Sequence, residues 1–274
     1  MLWITGNKGF VGVALCEKLQ EPFISTGKEV DIADFDSCIR FLEKHPSITH
    51  IINCAAFSHV DLAEINKEEA FRSNVLGAEN LGQIAKLMDI KVIHLSTDYV
   101  FNRFDEVLLK ETDTPNPCNY YGVTKLEGER RLLDLAPSSC VLRTSWIFGK
   151  GGKNFFASLA QLFQTKEELK LVVDQKARPT FIDDLVKVIL KMKNAQGIFH
   201  FANRGVISKY EFGIIARSHY RGPLLCKSIL PVLSSEFQSH AQRPFCSALD
   251  TSKIENYLNE PIPVWEEGLK EFFC

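Results

Sequence analysis

The sequence of 274 residues lacks the patterns that mark most metal sites and membrane segments. None of its 8 cysteines stands in a C-x-x-C pair, and its 7 histidines form neither H-E-x-x-H nor H-x-H, so no metal site is expected. Its apolar runs are far shorter than the roughly 18 residues of a membrane-spanning helix, and no basic-then-apolar signal segment opens the chain. These absences predict a cytoplasmic protein with reduced, mostly buried cysteines and no membrane partner.

An excess of charge is also missing, because 32 Lys plus Arg stand against 34 Asp plus Glu, a net charge of −2. Such a balance gives no support for nucleic acid as a partner. Hydrophobic residues make up 45% and charged residues 24%, values that exclude disorder and are typical of a domain with a full core. The length allows one large domain or two small ones.

Short β-rich runs alternate with helical stretches in the first half of the chain. Strands are predicted at residues 2–5, 22–25, 49–53, 91–95 and 139–143, and helices at 10–19, 37–44, 67–88 and 119–135. Strands that alternate with helices at this spacing form βαβ units and a parallel sheet. Because parallel crossovers are right-handed, the predicted fold class is α/β with a doubly wound parallel sheet.

The alternation breaks after Arg143. A helix is predicted at 155–163, an apolar run at 169–173, a helix at 181–192 and a strand at 197–201, and from Arg204 onward the elements are short. We therefore predict a sheet unit of residues 1–148 and about 180–203. A smaller lobe of about 149–179 and 204–274 is predicted to interleave with it.

A glycine-rich turn joins the first predicted strand to the first helix. Without a Cβ atom, Gly6 can form the tight turn, Gly9 can let the backbone approach a pyrophosphate, and Gly12 can let helix and strand pack closely. The helix N-terminus then points its free N–H groups at the anion. This turn predicts a dinucleotide-binding Rossmann sheet, with the smaller lobe binding the substrate. The predicted cofactor contacts on the turn are Gly6, Lys8, Gly9, Phe10, Val11 and Gly12.

The end of the second predicted strand indicates which dinucleotide binds. An acidic residue that holds the ribose diol of NAD is expected about 20 residues after the turn, yet residues 25–28, Ser-Thr-Gly-Lys, carry no carboxylate before Glu29. Hydroxyl groups and a lysine suit a 2′-phosphate, which favours NADPH and leaves NADH as the alternative. Asp31 comes slightly later and is expected near the adenine.

Tyr121 and Lys125 are four residues apart at the start of a predicted helix, so they share one of its faces. A free tyrosine has a pKa of about 10, and a neighbouring ammonium group lowers it by stabilising the phenolate. A tyrosine tuned in this way can give a proton to a carbonyl oxygen as a hydride reaches the carbon. Ser96 and Thr97 end the fourth strand, where ligands of parallel sheets bind, so Thr97 is expected to hydrogen-bond to the same carbonyl.

These residues lie within longer motifs that resemble the extended short-chain dehydrogenase/reductases over nearly the whole chain. The motifs are Thr5–Gly12, Asn53–Glu64, Asn74–Leu81, Ser96–Phe101, Tyr121–Lys125, Arg143–Trp146, Asp174–Gln175, Pro179–Thr180 and Arg243–Pro244. The resemblance is greatest to the branch that reduces dTDP-4-dehydrorhamnose to dTDP-rhamnose. It implies NADPH-dependent reduction of the 4-keto group of a dTDP-linked 6-deoxy sugar, hence a nucleotide-sugar substrate, and it leaves a homodimer open.

The resemblance also implies roles for individual residues. The implied catalytic residues are Thr97, Tyr121 and Lys125. The implied cofactor contacts, besides the turn, Tyr121 and Lys125, are Asp31 and Ile32 at the adenine, Ala55 and Ala56 at the diphosphate and ribose, and Asn74. The implied substrate contacts are Tyr99, Asn102 and Trp146 at the sugar, and Asn154, Arg178 and Arg243 at the nucleotide diphosphate.

Two other functions remain open. A nucleotide-sugar epimerase or dehydratase resembles this chain, but such dehydratases tend to carry Asp-Glu after the threonine, whereas Tyr99 follows Asp98 here. A non-catalytic, NADP-binding regulatory subunit of methionine adenosyltransferase could keep most of these motifs. The departures from the family pattern lie in the sugar-facing loops, at 102–104, 108–110 and 176–178. They therefore concern the substrate more than the reaction.

Overall fold

The computed structural model describes residues 1–151 and 155–273. Its strands are β1 (Leu2–Thr5), β2 (Phe23–Thr26), β3 (His50–Asn53), β4 (Lys91–Thr97), β5 (Cys140–Thr144), β6 (Ile147–Phe148), β7 (Glu168–Val172), β8 (Lys176–Ala177), β9 (Thr180–Phe181), β10 (Gly197–Phe201), β11 (Ile207–Ser208) and β12 (Ser228–Val232). Its α-helices are α1 (Phe10–Lys18), α2 (Phe35–Glu43), α3 (Val60–Ile65), α4 (Lys67–Phe71), α5 (Gly77–Met88), α6 (Tyr120–Leu135), α7 (Phe155–Thr165), α8 (Ile182–Lys191), α9 (Lys209–His219), α10 (Ser252–Leu258) and α11 (Trp265–Phe273).

Six strands form one parallel sheet in the order β10-β5-β4-β3-β1-β2. The chain moves from β1 to β2 in one direction and from β3 to β10 in the other, so the strand order reverses between β1 and β3. Ligands of open α/β sheets bind at such a reversal, beyond the carboxyl ends of the strands. The predicted doubly wound α/β fold is confirmed.

Helices cover both faces of this sheet. Leu15 of α1 and Leu185 of α8 belong to the hydrophobic core on one face, while Leu42 of α2, Leu81 of α5 and Leu132 of α6 belong to the core on the other. Strands covered on both faces need apolar side chains on both, which explains why all four residues of β1 are buried.

The helix predicted at residues 67–88 is interrupted, which corrects the sequence-based prediction. A π-helical segment at Arg72–Leu76 separates α4 from α5. π segments often occur at functional sites, because the extra residue redirects the side chains around it. Here the side chain of Asn74 accepts a hydrogen bond from the N–H of Phe57 at 2.8 Å and donates one to the Thr124 hydroxyl at 3.0 Å. The segment therefore ties the loop after β3 to α6.

The smaller lobe is built from short paired strands. β7 pairs with β12, β8 with β11 and β6 with β9, and α9 packs against β7 and β12. Isolated bridges join Cys246 to both Arg103 and Lys176, and Leu109 to Leu249. They tie the loop after β4 to the segment that precedes α10. The predicted limits of the two parts stay predictions.

Within the described ranges, no helix is long and apolar enough to cross a membrane.

Candidate active site

Two glycines of the turn between β1 and α1 leave no room for a side chain. Gly6 has a φ of 67°, and a Cβ atom there would lie 2.6 Å from the backbone nitrogen of Ala55. A Cβ atom on Gly12 would lie 2.3 Å from the carbonyl oxygen of Gly6. Because only glycine fits, α1 can start close to the end of β1 and present its N–H groups to an anion.

A groove of about 650 Å³ adjoins this turn and the ends of β2 and β3. Its walls include seven of the predicted cofactor contacts, namely Gly6, Lys8, Gly9, Asp31, Ile32, Ala55 and Ala56. A volume of this size lies within the range of about 300–1,000 Å³ that is usual for ligand sites. The sequence prediction of a common site for these residues therefore agrees with their placement in the structure.

Four other predicted cofactor contacts do not line the groove but lie next to residues that do. Phe10 and Val11 pack against the hydrophobic core, and Gly12 supports the turn from behind. Asn74 donates a hydrogen bond to the carbonyl oxygen of Phe57 at 3.1 Å. These residues shape the groove rather than line it.

Sequence reasoning pointed to Lys28 at the end of β2 but missed Arg72. Gly27 and Lys28 line the groove just after that strand, and Arg72 lines it from the π segment. The Arg72 guanidinium forms a salt bridge with the Asp31 carboxylate at 2.6 Å. No local pattern marks Arg72 in the sequence, because only the folding of the π segment over the sheet edge brings it to this groove.

The start of α6 lies against the end of β4. The Asn119 side chain caps α6 by accepting a hydrogen bond from the N–H of Gly122 at 2.8 Å. A Cβ atom on Gly122 would lie 2.2 Å from the carbonyl oxygen of Tyr99, so only glycine permits this approach. The result is that the Tyr121 hydroxyl lies next to the Thr97 hydroxyl, which opposes the rise in the pKa of Tyr121. The structure thus brings two of the predicted catalytic residues into contact.

The protonation of Tyr121 differs from the sequence-based expectation. Lys125 was expected to lower the pKa of Tyr121, but burial raises that pKa to about 12, against the opposing effect of the Thr97 hydroxyl. The Lys125 ammonium donates to the carbonyl oxygen of Leu95 at 2.7 Å and lies 3.3 Å from Nε2 of His94. The expectation was wrong because the sequence shows the spacing of the two side chains and not their burial.

Lys125 belongs to a buried polar chain. Burial lowers its pKa to about 8, while the negative charge of Glu129 opposes this shift. Nδ1 of His94 lies 2.8 Å from the Asn53 amide nitrogen, and the Asn53 amide oxygen accepts a hydrogen bond from Thr5 at 2.6 Å. Burial also lowers the pKa of His94 well below its ordinary value, so its ring is neutral. The chain fixes the position of the Lys125 cation.

A second pocket, of about 270 Å³, lies within the smaller lobe. It is lined by Phe155, Lys170, Leu171, Val172, Gln175, Lys209, Ser234, Phe237, Ser239 and Arg243. Lys209 is the first residue of α9, and its ammonium stands 5.7 Å from the ring centroid of Trp146 and 3.2 Å from the Gln175 amide oxygen. Burial lowers the pKa of Lys209 to about 8. Sequence reasoning missed this lysine, because no motif surrounds it.

Arg243 links this pocket to the catalytic residues. Its guanidinium donates to both carboxylate oxygens of Asp61 and lies close to the Tyr99 hydroxyl. The Tyr99 ring stands edge-on to the Tyr121 ring, with centroids 5.9 Å apart. Because Asp61 already pairs with Arg243, Lys209 and Lys170 carry the positive charges of this pocket that have no ion pair among residues 1–151 and 155–273.

The remaining predicted substrate contacts are distributed differently. Trp146 adopts a φ of 42°, and its ring lies near Lys209. Asn102 hydrogen-bonds through its backbone N–H to the Asn116 amide oxygen at 3.0 Å. Arg178 donates to the carbonyl oxygen of Leu249 at 3.0 Å, and it is not among the residues that line either pocket. Asn154 lies outside the described residues.

Comparison with known proteins agrees with this arrangement. The RmlD substrate binding domain model matches residues 1–274. The dTDP-4-dehydrorhamnose reductase of Aggregatibacter actinomycetemcomitans is 32% identical over 98% of this chain and 97% of the relative. The spore coat polysaccharide biosynthesis protein SpsK of Bacillus subtilis is 34% identical over 98% of this chain and 95% of the relative.

A solved structure has the same fold over the whole chain. The dTDP-4-dehydrorhamnose reductase of Bacillus anthracis, in complex with NADP, superposes with a TM-score of 0.93 at 32% identity and covers 99% of this chain and 98% of its own. Full-length similarity at this level, together with the family match, establishes membership. The chain therefore belongs to the RmlD substrate binding domain family, a group of extended short-chain dehydrogenase/reductases, as its motifs predicted.

Proposed function

We propose that this protein reduces the 4-keto group of a dTDP-linked 6-deoxy sugar, converting dTDP-4-dehydrorhamnose to dTDP-rhamnose with NADPH. The observation that carries the proposal is the position of Tyr121. Its hydroxyl lies next to that of Thr97 at the carboxyl edge of the sheet, and its ring contacts the Tyr99 ring, which is close to Arg243 in the second pocket. Two relatives named for this reduction, one of them solved with NADP, support the proposal.

The residues around the groove fit a dinucleotide that carries an extra phosphate. Gly6 and Gly12 form a cradle that a Cβ atom would fill, and Lys8, Lys28 and Arg72 line the same groove. Ala55 and Ala56 would lie along the dinucleotide, and Asp31 and Ile32 at its adenine end. When bound there, NADPH supplies the hydride.

The catalytic residues then have distinct parts in the reaction. Tyr121 gives its hydroxyl proton to the carbonyl oxygen of the substrate, and Thr97 orients that carbonyl by hydrogen bonding. The buried Lys125 ammonium, held in place by the carbonyl oxygen of Leu95, would bind the ribose of the dinucleotide. A buried tyrosine that holds its proton until charge develops on the carbonyl oxygen is suited to act as a general acid.

The second pocket is suited to the nucleotide part of the substrate. Lys209 and Arg243 supply positive charge for the diphosphate, while Trp146 and Tyr99 stand between that charge and Tyr121 and are suited to the sugar. Arg178 holds the carbonyl oxygen of Leu249, so we assign it to the support of the lobe rather than to the diphosphate.

Lys209→Met is expected to raise the KM for the nucleotide sugar about tenfold or more, because a hydrogen bond to a charged group contributes about 1.5–3 kcal/mol. The kcat should change by less than about threefold, since Lys209 lies outside the proton-transfer residues. Steady-state kinetics at saturating NADPH measure both values.

Lys227→Met is the matched control for this change. Lys227 also belongs to the smaller lobe, and its side chain is 72% exposed in an ion pair with Glu167. The control should leave the KM unchanged. If the Lys209 variant had the same KM as the control, the diphosphate would not bind in this pocket.

Lys28→Met is expected to weaken NADPH binding about tenfold and to leave NADH binding unchanged. The lysine follows Gly27 at the end of β2, and a 2′-phosphate there would lose one charge-assisted hydrogen bond, at about 1.5 kcal/mol or more. Isothermal titration with each dinucleotide gives the two dissociation constants. If NADPH and NADH binding were weakened equally, Lys28 would not contact the 2′-phosphate.

Turnover of dTDP-4-dehydrorhamnose, followed by the loss of NADPH absorbance, tests the proposed reaction directly. Conversion of dTDP-glucose without net NADPH consumption would instead indicate the dehydratase alternative. Tight binding of NADP(H) with no turnover of any nucleotide sugar would indicate a regulatory subunit. We also propose a cytoplasmic location, where thiols stay reduced, and a homodimer stays a prediction.

A further inference from the structure

A buried carboxyl group adjoins the catalytic residues and has no part in the reaction described so far. Asp98 directly follows β4, and only 2% of it is exposed. Its Oδ1 accepts a hydrogen bond from the Thr97 hydroxyl at 3.2 Å, and its Oδ2 accepts one from the Ser247 hydroxyl. Among the described residues Asp98 forms no salt bridge. A carboxyl group buried without a cation is costly in its ionised form.

Asp98 is connected to Tyr121 through one atom. The Thr97 hydroxyl donates a hydrogen bond to Asp98 on one side and lies next to the Tyr121 hydroxyl on the other. The backbone N–H of Tyr99 donates to the same hydroxyl oxygen at 3.1 Å and fixes its position. Lys125 is directed elsewhere, to Leu95 and His94. The path that leaves Tyr121 through the adjacent Thr97 hydroxyl therefore ends at Asp98.

The environment of Asp98 allows it to exchange a proton near neutral pH. Burial raises its pKa to about 7, while the hydrogen bonds from Ser247 and Thr97 and the positive charge of Lys209 oppose that shift. Tyr121 from α6 and Tyr99 also face it, and both hold their protons because burial raises the pKa of each. Lys209 also loses its proton at about pH 8, but it forms no hydrogen bond with Thr97, so among these groups Asp98 is the acid that is joined to Tyr121 through Thr97.

We propose that protonated Asp98 returns a proton to Tyr121 through the Thr97 hydroxyl after each reduction. The inference rests on the proposed function and adds Asp98 and Ser247 to its machinery. Asp98 acts through Thr97 and is therefore a positioning and proton-supplying residue rather than a group that touches the substrate.

The step balances in protons and electrons. The hydride from NADPH forms the new C–H bond and carries both electrons, and the Tyr121 O–H bond breaks as its proton forms the product hydroxyl. The Thr97 proton then passes to the Tyr121 phenolate oxygen, while the Asp98 O–H bond breaks and its proton passes to the Thr97 oxygen. Asp98 is left as a carboxylate, which takes up a proton from water before the next turnover.

Asp98→Asn removes the acid proton and keeps a side chain of the same shape. Because reduction requires protonated Asp98, the kcat of the wild type should fall as the pH rises through about 7. In the variant this limb of the pH profile should disappear and kcat should be about tenfold lower at pH 6, with the KM within about twofold. A variant that keeps the limb at the same pH would overturn the proposal.

Ser247→Ala provides an independent test in the opposite direction. The Ser247 hydroxyl lowers the pKa of Asp98 by bonding to its carboxylate, so its removal should move the same limb to higher pH. A merely structural role for Asp98 would leave the position of the limb unchanged. A limb that stays in place in the Ser247→Ala enzyme would contradict the relay.

An infrared titration separates failure of the relay from failure of the proposed function, because it needs no substrate. In the wild type, the carbonyl band of a protonated carboxyl group should disappear as the pH rises through about 7, and Asp98→Asn should lack this band. Absence of the titrating band in the wild type overturns the relay. Absence of turnover by a wild type that shows the band overturns only the proposed substrate and reaction.

Discussion

Tyr121→Phe lowers kcat for the reduction of dTDP-4-dehydrorhamnose by about 10²- to 10⁴-fold, the usual contribution of general acid–base catalysis. The variant keeps the ring, so its edge-on contact with the Tyr99 ring is preserved, and it removes only the hydroxyl that lies next to Thr97. The loss should appear in kcat, because the proton is transferred in the transition state. Single-turnover kinetics with saturating NADPH measure it.

Tyr120→Phe is the matched control because Tyr120 is the neighbouring residue on the same helix. Its ring lies 5.3 Å from the Lys67 ammonium, on the side of α6 that lines a separate depression with Phe71 and Pro117. The control should keep wild-type kcat. If the two variants were equally active, Tyr121 would not be the proton donor.

Glu129→Gln destabilises the fold by about 3–5 kcal/mol, the usual cost of removing one partner from a buried ion pair. Glu129 receives hydrogen bonds from Arg143 at 2.7–3.1 Å and one from Ser96. The side chains of Arg143 and Glu129 are 2% and 1% exposed, respectively. Glutamine keeps one oxygen that can accept a hydrogen bond, but it removes the negative charge, so the buried Arg143 guanidinium is left without an ion pair among the described residues. Urea-induced unfolding measures the loss.

Glu167→Gln tests whether the loss of stability expected for Glu129→Gln is due to the burial of its ion pair. Glu167 pairs with Lys227 at 2.9 Å, but its side chain is 64% exposed. A surface pair contributes at most about 1 kcal/mol, so the free energy of unfolding should hardly change. A loss in Glu129→Gln no larger than in this control would show that the buried pair does not stabilise the fold.

Glu129 also affects the active site, because it changes the pKa of Lys125. Its negative charge raises the pKa of Lys125, against a larger lowering by burial. Removal of that charge should therefore lower the pKa of Lys125 below about 8, so that this lysine loses its proton closer to neutral pH. Stability and catalysis are coupled through this one carboxylate.

The sequence predicts features that depend on local spacing. The turn at Gly6 and the pair Tyr121 and Lys125 each lie within a few residues, and the structure places them at the carboxyl edge of the sheet as expected. Most strands and helices can also be predicted, because the hydrophobic period and the turn residues that mark them are local patterns. Their ends shift by one or two residues, because capping contacts such as that of Asn119 decide where a helix begins.

Features that depend on tertiary contacts could not be predicted in this way. Arg72 reaches the groove through a π segment inside a run that reads as a continuous helix. Lys209 enters the second pocket from a helix that carries no motif. The pKa of Tyr121 depends on burial by several elements at once. Each needs the packed structure, because the partners lie far apart in the chain.

The link between Asp98 and Ser247 has a consequence for the order in which the protein matures. The two residues are 149 positions apart, and Arg243 reaches Asp61 across 182 positions. A nascent chain that extends just past α6 already contains the glycine turn, Thr97 and Tyr121. Asp98 in such a chain still lacks the hydroxyl that lowers its pKa, so the active site gains its final pH response only after the segment around Ser247 has been synthesised and has docked.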